Sequence, residues 1–339
     1  MDRRGRRSLL KACLAALAAT LALTPETASA RVARPRPDSL EFRRSWPLRA
    51  IGAEAAYAAG YTGRGVSIAL VDCGLGHRPR DLARNLSAQS VDLFPQRHAE
   101  VDDRHGYWVA QPLGSRLNGY GTVGVAYNAT LLEIRADMDG GHEGQCAFWP
   151  SDIARALDYA AEQRVRIVIL PVEGKHPLGA VFEAALGRVI ASGAVVVVAA
   201  GNGRLDGPAW PAAYSADRRF SKSMVAVGAA TFEGNITDWT NRAGAARDRY
   251  VLAPGEWILT DCRQTCRYAS GTSFAAPFVA GALALVMEAH PELDGPAALE
   301  RLLASARDLG TPGPDEIYGW GVLDLGKAFA PTSAVAASP

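Results

Sequence analysis

Five runs of strand length constrain this chain more than anything else in it: VSIALVD at 66–72, TLLEIR at 130–135, RIVILPV at 166–172, AVVVVAA at 194–200 and SMVAVGA at 223–229. They are rich in β-branched residues and do not alternate apolar with polar positions. Such runs belong to strands covered on both faces, and hence to a parallel sheet. Parallel neighbours need crossover connections, and SDIARALDYAAEQR (151–164) and GAVFEAALGRVIAS (179–192) read as the helices that supply them. The alternation predicts an α/β fold, a three-layer doubly wound parallel sheet. Neither an internal repeat nor a linker divides it.

Composition narrows the partners. The 339 residues carry a formal net charge of +1, and only Lys11, Lys175, Lys222 and Lys327 supply lysine, so the basic charge is arginine spread along the chain and matched by acids. A nucleic-acid or membrane surface would need clustering, so neither partner is expected. The first thirty residues are ordered as basic MDRRGRR, an apolar run from Ala12 to Leu23, and Ala28-Ser29-Ala30. That order reads as a signal peptide cleaved after Ala30, too short to span a membrane. No later apolar run of spanning length is expected, which predicts a soluble monomer, periplasmic or extracellular. Cys13 leaves with the signal; Cys73, Cys146, Cys262 and Cys266 remain, an even count that suggests two disulfides in an oxidising compartment. Cys262 and Cys266 can staple a hairpin. Whether Cys73 pairs with Cys146 or stays a buried thiol is open, and no C-x2-C pair or neighbouring histidine completes a zinc site.

In open α/β sheets, chemistry gathers at the carboxyl ends of the strands. Asp72 closes the first run in VDCGLG, and Asn202 follows the fourth in AAGNG. Ser273 stands where SGTS feeds an all-apolar helix, 274–287, at which unpaired N–H groups can meet developing negative charge. Each has an ordinary structural alternative: a turn aspartate, a turn asparagine, an N-cap serine. A serine nucleophile needs a histidine base oriented by a carboxylate. His105, which opens HGYWVAQPL with Gly106 permitting close approach, is the favoured base, and His77 is its competitor.

These segments together resemble a subtilisin-like serine protease of the subtilase family (peptidase S8). SGTSFAAP (270–277), GRGVSIALVDCGL around Asp72, AAGN (199–202), NATLLEIRA and LAPG (252–255) fall in family order. The resemblance implies a triad of Asp72, His105 and Ser273, with Asn202 and the Ser273 N–H holding the oxyanion. Val172, Gly174, Ala200 and Gly201 would line the substrate cleft and pair with an extended peptide. It implies no cofactor for the chemistry, and Asp81 with Asn118 as candidates for a structural calcium. The domain reading is then 1–30 signal peptide, 31–50 extended lead-in, 51–330 catalytic domain and 331–339 tail. The region LGTPGPDEIYGWGVLDLGKAF is similar to autotransporter passenger proteases, though no barrel strands follow it.

Three departures stand out. HGYWVAQ replaces the usual HGTHVAG, putting Tyr107, Trp108 and Gln111 near the base. PVEG at 171–174 replaces a Ser-Leu-Gly, so Glu173 is positioned to favour basic side chains. The lead before residue 51 has no room for the usual inhibitory prodomain. The alternative function is a catalytically impaired relative that binds peptides. A dehydrogenase reading fails because no G-x-G-x-x-G follows the first run, and an α/β-hydrolase reading fails because Ser273 is not in G-x-S-x-G.

Overall fold

A computed structural model describes residues 33–76, 80–96, 105–138, 146–262 and 265–330. The expected signal peptide, the 331–339 tail and the competitor His77 lie outside the described residues. In chain order the elements are α1 (Leu40–Arg44), α2 (Trp46–Ala50), α3 (Ala53–Ala59), β1 (Ser67–Asp72), β2 (Val91–Asp92), α4 (His105–Gly114), β3 (Thr130–Arg135), α5 (Pro150–Glu162), β4 (Ile167–Leu170), α6 (Gly179–Ala191) and β5 (Val195–Ala199). Then come β6 (Met224–Ala230), β7 (Tyr250–Pro254), β8 (Ile258–Thr260), β9 (Arg267–Ala269), α7 (Thr272–Ala289), α8 (Gly295–Ala304) and α9 (Leu325–Ala328).

The seven strands of the main sheet lie in the order β2-β3-β1-β4-β5-β6-β7, every neighbouring pair parallel. Period-two geometry sends successive side chains to opposite faces, and here both faces are covered. Ile68, Leu70, Ile167, Ile169, Val195 and Val197 pack with α4 and α7. Ala69, Val71, Val168, Leu170, Val196 and Val198 pack with α5 and α6. That is why the five runs lack alternation, and it makes the expected three-layer α/β fold. Each fully buried Val, Leu or Ile contributes roughly 1.5–3 kcal/mol.

The chain winds from β1 outward to β3, returns to β4 on the other side of β1, and continues to β7. The direction therefore reverses between β1 and β4, opening a crevice at their carboxyl ends. α7 crosses beneath it, buried from Thr272 to Met287 apart from Ser273. This helix is, among the described residues, long and apolar enough to cross a membrane, contrary to the expectation that no such run follows the signal, yet it is mostly enclosed by the fold.

The lead-in from 31 to 50 is not extended throughout. Ser39 caps α1 by accepting from the Phe42 N–H, and Pro47 sits in the first turn of α2, where its missing donor costs nothing. Phe42 and Leu48 join the core, which outweighs the poor propensity of an Arg- and Pro-rich stretch.

Candidate active site

Asp72 ends β1, Pro171 to Gly174 follow β4, and Asn202 follows β5, so all three lie around the crevice. His105 opens α4 and Ser273 is the second residue of α7, and the two helix starts meet through His105 and Phe274.

Asp72 is only 1% exposed, and its carboxylate faces His105, with Nδ1 3.0 Å from Oδ1 and 3.1 Å from Oδ2. The Cys73 N–H donates to the same Oδ1 at 2.7 Å. A histidine held this way keeps its proton on Nδ1 and presents Nε2 on the far side of the ring. The close approach depends on Gly106, where an added Cβ would lie 2.4 Å from the Gly74 carbonyl oxygen and 3.1 Å from the Asp72 Cβ. The His105 ring meets Phe274 edge to face at 5.7 Å, and Phe274 adjoins Ser273 on α7.

Ser273 is the second residue of α7, half-buried, and its hydroxyl donates to the Pro171 carbonyl at 2.9 Å. Gly271 precedes the helix at φ +150°, a conformation that side-chain-bearing residues rarely adopt. Pro277 lacks an N–H, which leaves the Ser273 carbonyl without its donor inside the helix.

Across the crevice, the Asn202 Oδ1 accepts from the Thr272 N–H at 2.9 Å and the Thr272 hydroxyl at 3.2 Å. Fixing the oxygen there turns Nδ2 outward, where it donates to the Glu173 Oε2 at 3.3 Å. The same carboxylate oxygen accepts the Asn202 backbone N–H at 2.8 Å. Glu173 is exposed, but it is folded over Asn202 rather than extended into water. It borders a cavity of about 450 Å³ that Val172, Gly174, Trp210 and Cys146 also line.

Three of the expected cleft residues carry backbone bonds within the fold. Gly174 exchanges both backbone bonds with Trp210, Ala200 donates to Val227 and accepts from Ala209, and Gly201 donates to Thr272 Oγ1 and accepts from the Asn241 N–H. Trp108 and Gln111 of HGYWVAQ meet the β8–β9 hairpin. Arg267 lies over the Trp108 ring, and the buried Gln111 Oε1 accepts from the Asp261 N–H and the Thr260 hydroxyl. These tie α4 to the hairpin, which the Cys262–Cys266 disulfide closes.

Sequence reasoning missed Thr272, which orients the asparagine, and Pro171, which receives the serine hydroxyl. Thr272 had a signal in its place beside Ser273; Pro171 had none, because a backbone carbonyl belongs to any residue. Also missed was Glu133 on β3, paired in register with Leu70. Burial pushes its carboxyl up to about 7, with nearby Asp92 and Asp72 adding to the rise, while its bond from the Leu75 N–H opposes it.

Among the described residues, two groups of metal-binding donors stand out. Asp81 is buried, which pushes its carboxyl up to about 6, and Asn118 donates to it through Nδ2 at 2.9 Å. As placed, the Asn118 oxygen serves the Tyr120 N–H, so the amide must turn before it can ligate. The other group is Asp72, Cys73, His105 and Cys146, whose donor atoms all lie within 4.8 Å of one another. Cys73 and Cys146 are joined as a disulfide here, so the open pairing closes in favour of a bond.

Comparison with known proteins agrees with this architecture. A solved protease from Pseudoalteromonas arctica PAMC 21717 superimposes with a TM-score of 0.71 over 87% of this chain and 99% of that one, at 22% identity, a likeness of fold. Subtilisin BL from Lederbergia lenta is 30% identical over 284 residues, covering 84% of this chain and 97% of the relative. The minor extracellular protease Epr of Bacillus subtilis (strain 168) is 29% identical over 305 residues, 89% of this chain but 44% of the longer relative. The family model for the subtilase family matches residues 63–321, which contain Asp72, His105, Asn202 and Ser273. On that match and those relatives, the chain belongs to the subtilase family of serine endopeptidases.

Proposed function

We propose that the protein is an exported endopeptidase that hydrolyses peptide bonds through Asp72, His105 and Ser273 with an acyl-enzyme intermediate. The observation that carries this reading is the double approach of His105 Nδ1 to the buried Asp72 carboxylate, at 3.0 and 3.1 Å, with Phe274, the residue after Ser273 in α7, against the same ring. In the reaction His105 Nε2 takes the Ser273 proton as Oγ attacks the substrate carbonyl, and Asp72 stabilises the resulting imidazolium. The hydroxyl leaves the Pro171 carbonyl as it turns to the substrate. The Ser273 N–H and Asn202 Nδ2 meet the oxyanion, aided by the positive end of α7. His105 then gives its proton to the leaving amine, and water, activated by the same ring, releases the acyl group.

Glu173 supplies the preference. A basic side chain entering the cavity beside Val172 draws its carboxylate off Asn202, freeing Nδ2 for the oxyanion. A neutral side chain leaves that carboxylate where it opposes the developing charge. The resting bonds of Ser273 to Pro171 and of Asn202 to Glu173 also favour a second reading, an impaired peptide-binding relative. A peptide-library cleavage profile of the protein beginning at Arg31 separates the two. Cleavage that is absent in Ser273→Ala and enriched after Arg or Lys supports the proposal; no cleavage by folded protein refutes it.

Export rests on the order of charge, apolar block and small residues in the first thirty positions, and on an extracellular relative. Secreted protein should begin at Arg31. Residues 51–330 form the proposed catalytic domain. Calcium at Asp81 would add to the weak countercharge that Arg80 gives this buried carboxylate, with Asn118 turned to offer its oxygen. Ion binding requires the ionised form, so thermal stabilisation by calcium should grow as pH rises through about 6 and vanish in Asp81→Asn.

A further inference from the structure

The end of β1 holds two adjacent residues with different chemistry. Asp72 orients His105, and Cys73 is bonded to Cys146. Cys73 Sγ lies 3.1 Å from Asp72 Oδ1, the same oxygen that stands 3.0 Å from His105 Nδ1. One donor atom from each of Asp72, Cys73, His105 and Cys146 lies within 4.8 Å of the other three.

Tetrahedral zinc, with bonds of about 2.3 Å to sulfur and about 2.0–2.2 Å to nitrogen or oxygen, spaces its ligands by roughly 3.3–3.8 Å. Reaching that spacing would need the two bonded sulfurs, about 2 Å apart in a disulfide, to separate by more than an ångström on reduction, and any pair as far apart as 4.8 Å to close by about an ångström. Two thiolates, an imidazole and a carboxylate make a donor set suited to zinc. In the disulfide the sulfurs share a bond and carry no thiolate charge, so the set is incomplete. Sequence spacing hid this, because the histidine that joins the two cysteines is remote from both along the chain.

We propose that reduction of Cys73–Cys146 turns the Asp72–His105 pair into a zinc site, and that zinc there switches the peptidase off. Two equivalents of a monothiol reductant deliver two electrons and two protons to the disulfide, giving two cysteine thiols and the oxidised reductant disulfide. Zinc then displaces both thiol protons to water. With His105 and Asp72 ligated, the ring no longer receives the Ser273 proton; exchange with a small-molecule disulfide, which takes the two electrons and leaves as two thiols, restores Cys73–Cys146 and expels the metal. Where thiols are kept reduced the enzyme would be silent, and in an oxidising compartment it would be active. The switch presumes the catalytic reading above; the metal site itself does not.

The test uses the full chain, oxidised or reduced with a phosphine, and reads zinc bound per chain by equilibrium dialysis alongside peptide cleavage. The reduced form should bind one zinc that the oxidised form does not. Cleavage should fall at least tenfold on zinc addition and return with a chelator. Cobalt in place of zinc should give thiolate-to-metal charge-transfer absorption. The double variant Cys262→Ser, Cys266→Ser should behave like wild type, whereas Cys146→Ser should lose the site. His105→Ala, which keeps the disulfide, should weaken zinc binding to the reduced form at least tenfold. Equal zinc occupancy in both redox states, full activity with zinc bound, or loss of activity on reduction that no chelator reverses would each overturn the proposal. An oxidised enzyme that cleaves nothing while its reduced form still binds zinc would defeat the catalytic reading and leave the metal site standing.

Discussion

The two sides of the crevice are built differently. On the β1 side, Asp72 is buried, its position is fixed by the central strand, and Gly106 lets α4 come close enough to seat His105 on it. On the β5 side, Asn202 is exposed and its outward amide nitrogen is held by Glu173, a surface side chain free to change partners. On the proposed reading, the contrast separates what the fold enforces from what this chain adjusts: the sheet would set the proton relay, and one carboxylate would tune the oxyanion donor.

That contrast can be broken at either side. Removing the relay should have the largest effect: His105→Ala should lower kcat by about 10⁶, as loss of a triad member does in subtilisin. Asn202→Ala should lower kcat by about 10²–10³, the cost of one oxyanion donor in subtilisin. Gly106→Ala should fall in the same range, about 10²-fold, because the new methyl group pushes α4 off Gly74 and moves the ring from Asp72. Circular dichroism should show both variants folded; a loss confined to KM would mean that these positions bind substrate and do not assemble the chemistry.

Glu133, beneath Asp72, sharpens the comparison through stability. Its carboxyl is raised from 4.5 to about 7, so the folded state holds the proton more tightly than the unfolded chain. The contribution is fully present below pH 4.5 and is lost as pH rises through about 7. Glu133→Gln should therefore gain on wild type by up to about 3 kcal/mol between pH 5 and 8, read from denaturant unfolding. Parallel stability curves would show that the buried side carries no such charge. The smallest effect belongs to Glu173→Gln. Preference for Arg or Lys at the cut should fall about fivefold, while kcat on neutral peptides rises. Unchanged preference would remove Glu173 from the cleft.

Much of the fold was legible because burial on both faces leaves its mark residue by residue, as in VVVV at 195–198. The five apolar runs became β1, β3, β4, β5 and β6. β2 has two residues and β7 reads YVLAP, too short or too mixed to register, and both occupy the edges of the sheet. Helices α1 and α2 were hidden because two adjacent buried residues in each, Glu41 and Phe42 in α1 and Pro47 and Leu48 in α2, anchor them without a repeating pattern. At the site, Asp72, His105, Asn202 and Ser273 were readable as side chains at strand and helix ends. Their partners were not: Glu173 on Asn202 and Ser273 on Pro171 arise from convergence across the crevice, which no local spacing encodes. Glu133 could have been found, as a carboxylate inside the apolar run TLLEIR.

The central claim is that a wired relay serves a hydroxyl able to leave Pro171. The rate of Ser273 labelling by a fluorophosphonate measures this directly, followed in wild type, His105→Ala and Ser273→Ala. Fast labelling of wild type, slowed at least a thousandfold without His105 and absent without Ser273, is the predicted result; folded wild type that labels no faster than His105→Ala would contradict it.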